Sequence, residues 1–165
     1  MPREDEAPAR LLLLLEQRSA TVATAESLTG GRLAAALTAV PGASRSYVGG
    51  IVSYATRLKT DLLGVPAGLV EEHGVVSAPC ARAMAAGALR ATGAAYALST
   101  TGVAGPDRQE GLPPGTVYVG LAGPDLDRVL ALELVGDRAR IQEQTVWSAI
   151  ATLSAILAGE ESPVG

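Results

Sequence analysis

The stretch "TVATAESLTGGRLAAALTAV", residues 21–40, joins a short β-prone run to a helix rich in alanine and leucine. The run "TVATA" is typical of a strand, and the helix is expected to end at Pro41-Gly42. A strand that leads directly into a helix is the repeating unit of α/β proteins. Between the two, Ser27 stands after Glu26 and before a Thr-Gly-Gly turn. Ser27 can cap the helix or act as a nucleophile, and the residues alone leave both interpretations open.

The remaining patterns extend this unit into a layered domain. Helices are predicted over 8–18, over 56–63, from a cap at Ser77 to Gly93, and over 138–158. Further strands are predicted over 47–55, 95–100, 116–122 and 128–134, with an irregular loop at 106–115 and a hairpin between the last two strands. This order predicts an α/β fold, a three-layer α/β/α domain with a mixed, mostly parallel five-stranded sheet. We expect a single domain over residues 1–165, with its ordered core at about 8–158.

Composition limits the classes of partner. The chain has 165 residues, 48% hydrophobic and 18% charged, which is enough for one packed core. A net charge of −4 and 3% aromatic residues offer no basic or stacking surface, so we expect no nucleic-acid partner. Cys80 is the single cysteine, which suits a reducing compartment. The "LLLLL" run at 11–15 follows the acidic "REDE" and is too short for a membrane span, so we expect a cytoplasmic protein without a membrane partner.

Three polar stretches follow three of the predicted strands. They are "ESLTGG" after the first strand, "SYATRLK" after the second and "TTGVAGP" after the third. In open α/β sheets the ligand crevice lies beyond the carboxyl ends of the parallel strands. We therefore expect these three stretches to converge on one site.

Lys59 is the single lysine of the chain, whereas the other twelve basic residues are arginines. A serine hydroxyl that attacks a substrate must lose its proton to a group that can accept it near neutral pH. A desolvated lysine can do so, but an arginine cannot. Lys59 is thus a candidate base for Ser27, with a solvated surface residue as the alternative. Tyr54 is either a hydrogen-bond partner of Lys59 or Ser27 or a half-buried core residue.

His73 is the single histidine, and a Ser-His-Asp triad would have to use it. One histidine and one cysteine do not make a typical metal site, so we expect no metal. We interpret "HGVVS", residues 73–77, as a turn before the helix cap, with the imidazole bonded to the backbone. A catalytic His73 is the alternative.

Two glycine-rich turns are candidate anion sites. Backbone N–H groups near Gly30 and Gly31 can hold an oxyanion or a phosphate, and "GVAGP" at 102–106 is a second such turn. Arg138 and Arg140 follow a predicted N-cap, where the helix dipole disfavours positive charge by about 0.3–1 kcal/mol. An anionic ligand or a neighbouring carboxylate would offset that cost.

Six segments carry a resemblance that covers about residues 8 to 158. They are "AESLTGG", "SYATRLKTDLLGV", "EEHGVVS", "TTGVAGPD", "PPGTVYVGLA" and "GDR". In order and spacing they resemble the CinA C-terminal domain family, the nicotinamide mononucleotide deamidases. The resemblance implies an amidohydrolase that converts nicotinamide mononucleotide to nicotinic acid mononucleotide and ammonia, in pyridine nucleotide recycling. It also implies a three-layer fold and no metal or other cofactor.

The resemblance also implies roles for individual residues. Ser27 matches the family's nucleophile, Lys59 its general base and Tyr54 the tyrosine that precedes the lysine. The positions that resemble its substrate-contacting turns are Gly30, Gly31, Thr101, Gly102, Gly105 and Arg138. We expect a small-molecule nucleotide as the substrate and a homo-oligomer, a dimer, as the assembly.

The chain departs from the family pattern beside the expected pocket. Arg108 and Gln109 stand where the family commonly has two glycines, and Thr56 stands where it commonly has asparagine. Gln142 or Glu143 takes the place of a basic residue near the start of the last helix. The alternative function is therefore a catalytically inactive nucleotide-binding or competence- and damage-related module. The family includes longer proteins with an N-terminal pyrophosphatase-like domain, and this chain resembles the stand-alone form.

Overall fold

The computed structural model describes residues 3–161 and 163–164. Its helices are α1 (Ala7–Gln17), α2 (Arg32–Thr38), α3 (Thr56–Asp61), α4 (Ala67–His73), α5 (Ala78–Thr92) and α6 (Arg138–Ala158), with a 3-10 turn at Ala43–Arg45. Its strands are β1 (Val22–Glu26), β2 (Tyr47–Val52), β3 (Tyr96–Gly102), β4 (Thr116–Gly123) and β5 (Leu126–Glu133). Helices separate the first three strands, with α3, α4 and α5 following one another between β2 and β3, and the hairpin of β4 and β5 then leads into α6.

The strands form one mixed sheet in the order β2-β1-β3-β4-β5. β1 is parallel to β2 and to β3, whereas β4 is antiparallel to both of its neighbours. Glu26, at the end of β1, lies opposite Val52 of β2 and Thr100 of β3. The carboxyl ends of the three parallel strands therefore meet at one edge of the sheet.

Helices cover both faces of this sheet. α5 packs on β1, β3 and β4, while α1, α2 and α6 form the opposite layer. Every residue of β1 is buried, and so is every residue of β3 after Tyr96. Strands buried on both faces carry continuous runs of small and apolar residues rather than an alternating pattern, as "TVATA" does. The predicted three-layer α/β fold with a mixed five-stranded sheet is confirmed.

Most element boundaries follow from local signals. Asp137 accepts a hydrogen bond from the N–H of Arg140 at 2.9 Å and caps α6. The Ser77 hydroxyl oxygen accepts one from the N–H of Cys80 at 3.2 Å and caps α5, as predicted. The sequence analysis missed α4, which follows Pro66 and has no buried residue. Its sequence "AGLVEEH" carries no apolar stripe, so periodicity could not reveal it.

The "LLLLL" run belongs to the core. It lies in α1, where Leu11, Leu12 and Leu15 are buried against α6 and Leu13 faces solvent. Across the described part of the chain, every helix falls short of the length and apolarity that a membrane span requires.

Candidate active site

A pocket of about 440 Å³ opens at the carboxyl ends of β1, β2 and β3. The three stretches expected to converge all line it, together with the first residue of α6. The lining residues used below are Ser27, Leu28, Tyr54, Thr56, Lys59, Val75, Thr101, Gly105, Asp107, Arg108, Gln109 and Arg138. The convergence follows from the register of the parallel strands, which brings their ends side by side.

Ser27 and Lys59 lie in contact at the base of this pocket. The Nζ atom of Lys59 is 3.0 Å from the Oγ atom of Ser27 and donates a second hydrogen bond of 2.7 Å to the carbonyl oxygen of Ser53. Lys59 is 1% exposed, so the alternative of a solvated surface lysine is wrong. The Ser27 backbone is held in turn by a 3.0 Å bond from its N–H to the carbonyl oxygen of Thr100.

The surroundings of Lys59 favour its neutral form. Burial lowers the pKa of the Lys59 amine, because the charged form loses its hydration. The nearby Cys80 and Glu110 oppose this shift with smaller effects that raise the pKa. A neutral amine has a lone pair with which it can accept a proton from the Ser27 hydroxyl.

The Glu26 side chain, and not that of Ser27, caps the start of α2. Its buried carboxylate accepts hydrogen bonds from the N–H groups of Leu33 and Ala34 at 2.9 and 3.0 Å. It also accepts bonds from the Thr29 hydroxyl at 2.6 Å and from the N–H of Gly31 at 3.2 Å. Because Glu26 supplies the capping acceptor, the hydroxyl of Ser27 is left to face the pocket and Lys59.

The glycine turn after Ser27 has a different place from the one expected. The N–H of Gly31 is bonded to Glu26, and the N–H of Gly30 is bonded to the carbonyl oxygen of Ser27 at 3.0 Å. Neither glycine belongs to the described residues that line the pocket. Their φ angles of +55° and +99° shape the tight turn into α2 instead.

Tyr54 and Arg138 form a pair at the mouth of the pocket. The Arg138 guanidinium donates to the Tyr54 hydroxyl at 2.8 Å and to the carbonyl oxygen of Gly105 at 2.6 Å. Both alternatives for Tyr54 are therefore wrong. Its hydroxyl is bonded to Arg138 and not to Lys59 or Ser27, and its side chain is 60% exposed and not half-buried in the core. Arg140, two positions beyond in the same turn of α6, lies 3.7 Å from the carboxylate of Glu143.

The other predicted substrate residues line the pocket as parts of β3 and the loop after it. The Thr101 hydroxyl donates to the carbonyl oxygen of Val75 at 2.7 Å, which fixes the part of the pocket wall that Val75 forms. At Gly102 an added Cβ would lie 2.7 Å from the carbonyl oxygen of Thr116, so glycine permits the close pairing with β4. Gly105 has a φ of +92° and presents its carbonyl oxygen to Arg138.

Gln142 lies outside the pocket lining described above but contacts the residue that follows Ser27, which the sequence does not predict. It is 5% exposed, and its amide donates to the carbonyl oxygen of Leu28 at 2.9 Å. It thereby ties α6 to the residue that follows Ser27. The sequence marked this position only as a departure from the family pattern.

His73 lies at the end of α4, outside the pocket lining described above. Its Nε2 atom is 3.7 Å from the carboxylate of Glu72. Among the described residues the imidazole has no hydrogen bond to the backbone, so that expectation is wrong. In the part of the chain that the structure describes, no hydrogen bond joins His73 to Ser27, whose hydroxyl contacts Lys59, so the structure shows no Ser-His pair.

The sequence is similar to a known domain family and to two named proteins. Residues 4–157 match the family model of the CinA C-terminal domain. A CinA-like protein of Frankia casuarinae is 53% identical over 156 residues, covering 94% of this chain and 36% of that protein. A CinA-like protein of a Geobacter species, strain M21, is 44% identical over 162 residues, covering 98% of this chain and 39% of that protein. The chain thus spans well under half the length of these relatives.

Solved structures show the same fold. The CinA superfamily protein KP700603 of Klebsiella pneumoniae matches with a TM-score of 0.92 and 33% identity, over 96% of this chain and 99% of that one. The competence/damage inducible protein CihA of Agrobacterium tumefaciens matches with a TM-score of 0.89 and 32% identity, over 94% of this chain and 97% of that one. On sequence and structure alike, the chain belongs to the CinA C-terminal domain family.

Proposed function

We propose that the protein is an amidohydrolase that deamidates nicotinamide mononucleotide, with Ser27 as the nucleophile and Lys59 as the general base. The observation that carries the proposal is the 3.0 Å contact between a buried lysine amine and a serine hydroxyl in an open pocket. Burial lowers the pKa of Lys59 and so increases the fraction of amine able to accept the proton.

In the first step the Ser27 hydroxyl gives its proton to Lys59 while its oxygen attacks the carboxamide carbon of the substrate. Lys59 then gives that proton to the departing amide nitrogen, ammonia leaves, and an acyl group stays on Ser27. A water molecule, deprotonated by Lys59, attacks the acyl carbon. As the bond between the acyl carbon and the Ser27 oxygen breaks, Lys59 returns the proton to that oxygen. The products are the free acid and regenerated Ser27, with Lys59 neutral again.

The negative oxygen of each tetrahedral intermediate needs hydrogen-bond donors. Since the N–H groups of Gly30 and Gly31 are already bonded, we assign this role to the backbone N–H of Leu28. Within the described residues this N–H has no hydrogen-bond acceptor, and it belongs to the residue directly after the nucleophile. The bond from Gln142 to the Leu28 carbonyl oxygen helps to hold this peptide in place.

The charge of the pocket supports an anionic substrate. The protein carries a net charge of −4, yet two arginines, Arg108 and Arg138, line the pocket beside one acidic residue, Asp107. Arg138 is exposed and holds the mouth through two neutral oxygens, which a phosphate can replace with a stronger, charge-assisted bond. This distribution favours the nucleotide over the nucleoside, which lacks the phosphate and keeps the positive charge of the pyridinium ring.

Ammonia release from nicotinamide mononucleotide tests the proposal. We expect turnover by the wild-type protein and a loss of about a thousandfold or more in Ser27→Ala, with an unchanged melting temperature. Ser44→Ala, at an exposed serine, is the matched control and should keep wild-type activity. Wild-type rates in Ser27→Ala would remove Ser27 as the nucleophile. Binding of the nucleotide in calorimetry without ammonia release would instead support the nucleotide-binding module.

A further inference from the structure

The loop between β3 and β4 contains a turn with an unusual residue at its tip. Gln109 and Leu112 exchange backbone hydrogen bonds of 3.1 and 2.8 Å, and the two residues between them are Glu110 and Gly111. Both have positive φ angles, +52° for Glu110 and +75° for Gly111. A turn with two positive φ angles favours glycine, asparagine or aspartate at its first central position, so a glutamate there is strained. Such strain persists only where other contacts hold the residue.

The Glu110 side chain makes those contacts. Its two carboxylate oxygens accept hydrogen bonds from the N–H of Val75 at 3.0 Å and from the N–H of Val76 at 2.7 Å. Both valines are buried in the segment between α4 and α5. Gly74 allows this approach, because a Cβ there would lie 2.4 Å from a Glu110 carboxylate oxygen.

Residues of both joined segments line the Ser27 pocket. Val75 lines the wall, and its carbonyl oxygen accepts the hydrogen bond from Thr101 described above. Arg108 and Gln109 line the mouth and are part of the turn, which is closed further by a 2.9 Å bond from Arg108 to the carbonyl oxygen of Gly111. Glu110 therefore connects the mouth of the pocket to its wall.

We propose that Glu110 is a positioning residue, whose carboxylate holds the turn with Arg108 and Gln109 over the pocket and fixes the Val75 wall. The carboxylate is required because two N–H donors face its two oxygens. A glutamine of the same shape would place an NH₂ group against one of those donors. The effect on turnover rests on the proposed deamidase function, whereas the contact itself does not.

Two variants separate the contact from the turn. Glu110→Gly removes the carboxylate, but glycine suits the positive φ angle. If Glu110 served only the conformation of the turn, this variant would match the wild type in activity and would be equally or more stable. Glu110→Gln keeps the shape and removes one acceptor. Glu71→Gln, at an exposed glutamate of α4, is the matched control.

Amide hydrogen exchange of Val75 and Val76 is the direct measurement. We expect exchange roughly tenfold faster or more in both Glu110 variants, with core amides of β1 unchanged and Glu71→Gln like wild type. For nicotinamide mononucleotide we expect KM to rise at least about fivefold in Glu110→Gly, with kcat changed by less than about twofold.

Unchanged exchange at Val75 and Val76 in Glu110→Gly overturns the proposal. Faster exchange with KM and kcat both at wild-type values shows that Glu110 stabilises the loop without positioning the site, and also overturns it. Absence of ammonia release by the wild-type protein rejects the deamidase function separately. In that case a crystal structure of Glu110→Gly tests the positioning role. Residues 106–109 in their original place would overturn that role, and a displacement of these residues would support it.

Discussion

The Nζ atom of Lys59 lies 3.0 Å from the Oγ atom of Ser27, and both residues are held by the ends of parallel strands. The Ser27 N–H bonds to β3, and the Ser53 carbonyl oxygen that receives Lys59 belongs to a residue whose own N–H bonds to the Glu26 carbonyl oxygen at 2.8 Å. The register of the sheet thus sets the distance between amine and hydroxyl. Changes at either side chain are expected to affect chemistry more than folding.

Activity is expected to increase with pH through the lowered pKa of Lys59. The amine must be neutral to accept the proton, and burial lowers its pKa from the ordinary 10.5. A profile of kcat/KM against pH should therefore rise to a plateau, with its midpoint below 10.5. Lys59→Met should lose about a hundredfold to ten-thousandfold in kcat and show no such rise.

The lowered pKa of Lys59 also makes the free energy of unfolding depend on pH. Between the lowered pKa and 10.5 the unfolded chain binds more protons than the folded protein. The free energy of unfolding of the wild type should therefore increase with pH across that window, relative to Lys59→Met. A difference that stays constant with pH would contradict a lowered pKa of Lys59 in the folded protein.

Arg138→Met should weaken binding of the nucleotide and leave the nucleoside unaffected. We expect KM for nicotinamide mononucleotide to rise about tenfold or more, because a charge-assisted contact to phosphate is lost. Arg140→Met is the matched control, since Arg140 lies in the same helical turn but contacts Glu143. Steady-state kinetics on nucleotide and nucleoside check this, and equal losses on both would show that Arg138 does not contact phosphate.

Glu26→Gln should destabilise the fold. A glutamine keeps one acceptor and turns its NH₂ group toward donors that now point at the carboxylate, so we expect a loss of about 2–4 kcal/mol in urea unfolding. Glu16→Gln removes an exposed carboxylate 3.4 Å from Arg45 and should change stability by less than about 0.5 kcal/mol. Similar stability of Glu26→Gln and wild type would show that the buried cap is not needed.

Two helical glycines should respond to alanine in opposite directions. Gly87 lies in α5, where an added Cβ would be 2.0 Å from the Leu63 carbonyl oxygen, so Gly87→Ala should lower stability by about 1–3 kcal/mol. Gly68 lies in α4 with open space around it, so Gly68→Ala should raise stability by about 0.5–1 kcal/mol through helix propensity. Thermal unfolding of both variants checks the pair, and a stabilised Gly87→Ala would contradict the close contact.

Local patterns in the sequence determined most elements of this fold. The bounds of α6 follow from an Asp cap, a regular apolar spacing and a terminal glycine, and the hairpin of β4 and β5 follows from two β-prone runs around a short turn. Each of these signals acts between residues a few positions apart, so the chain encodes it without a tertiary context. The composition also singled out Lys59, because one lysine among arginines is a chemical difference visible in the residues alone.

Only the tertiary structure decided which side chains meet. Ser27 and Lys59 are 32 positions apart, and Tyr54 and Arg138 are 84 positions apart. Such pairs depend on strand order and register, which no local pattern specifies. The tertiary structure likewise excludes Ser27 as the cap of α2. The Glu26 carboxylate turns back onto α2 and supplies the cap, and that requires the packed strand-to-helix turn rather than any residue preference.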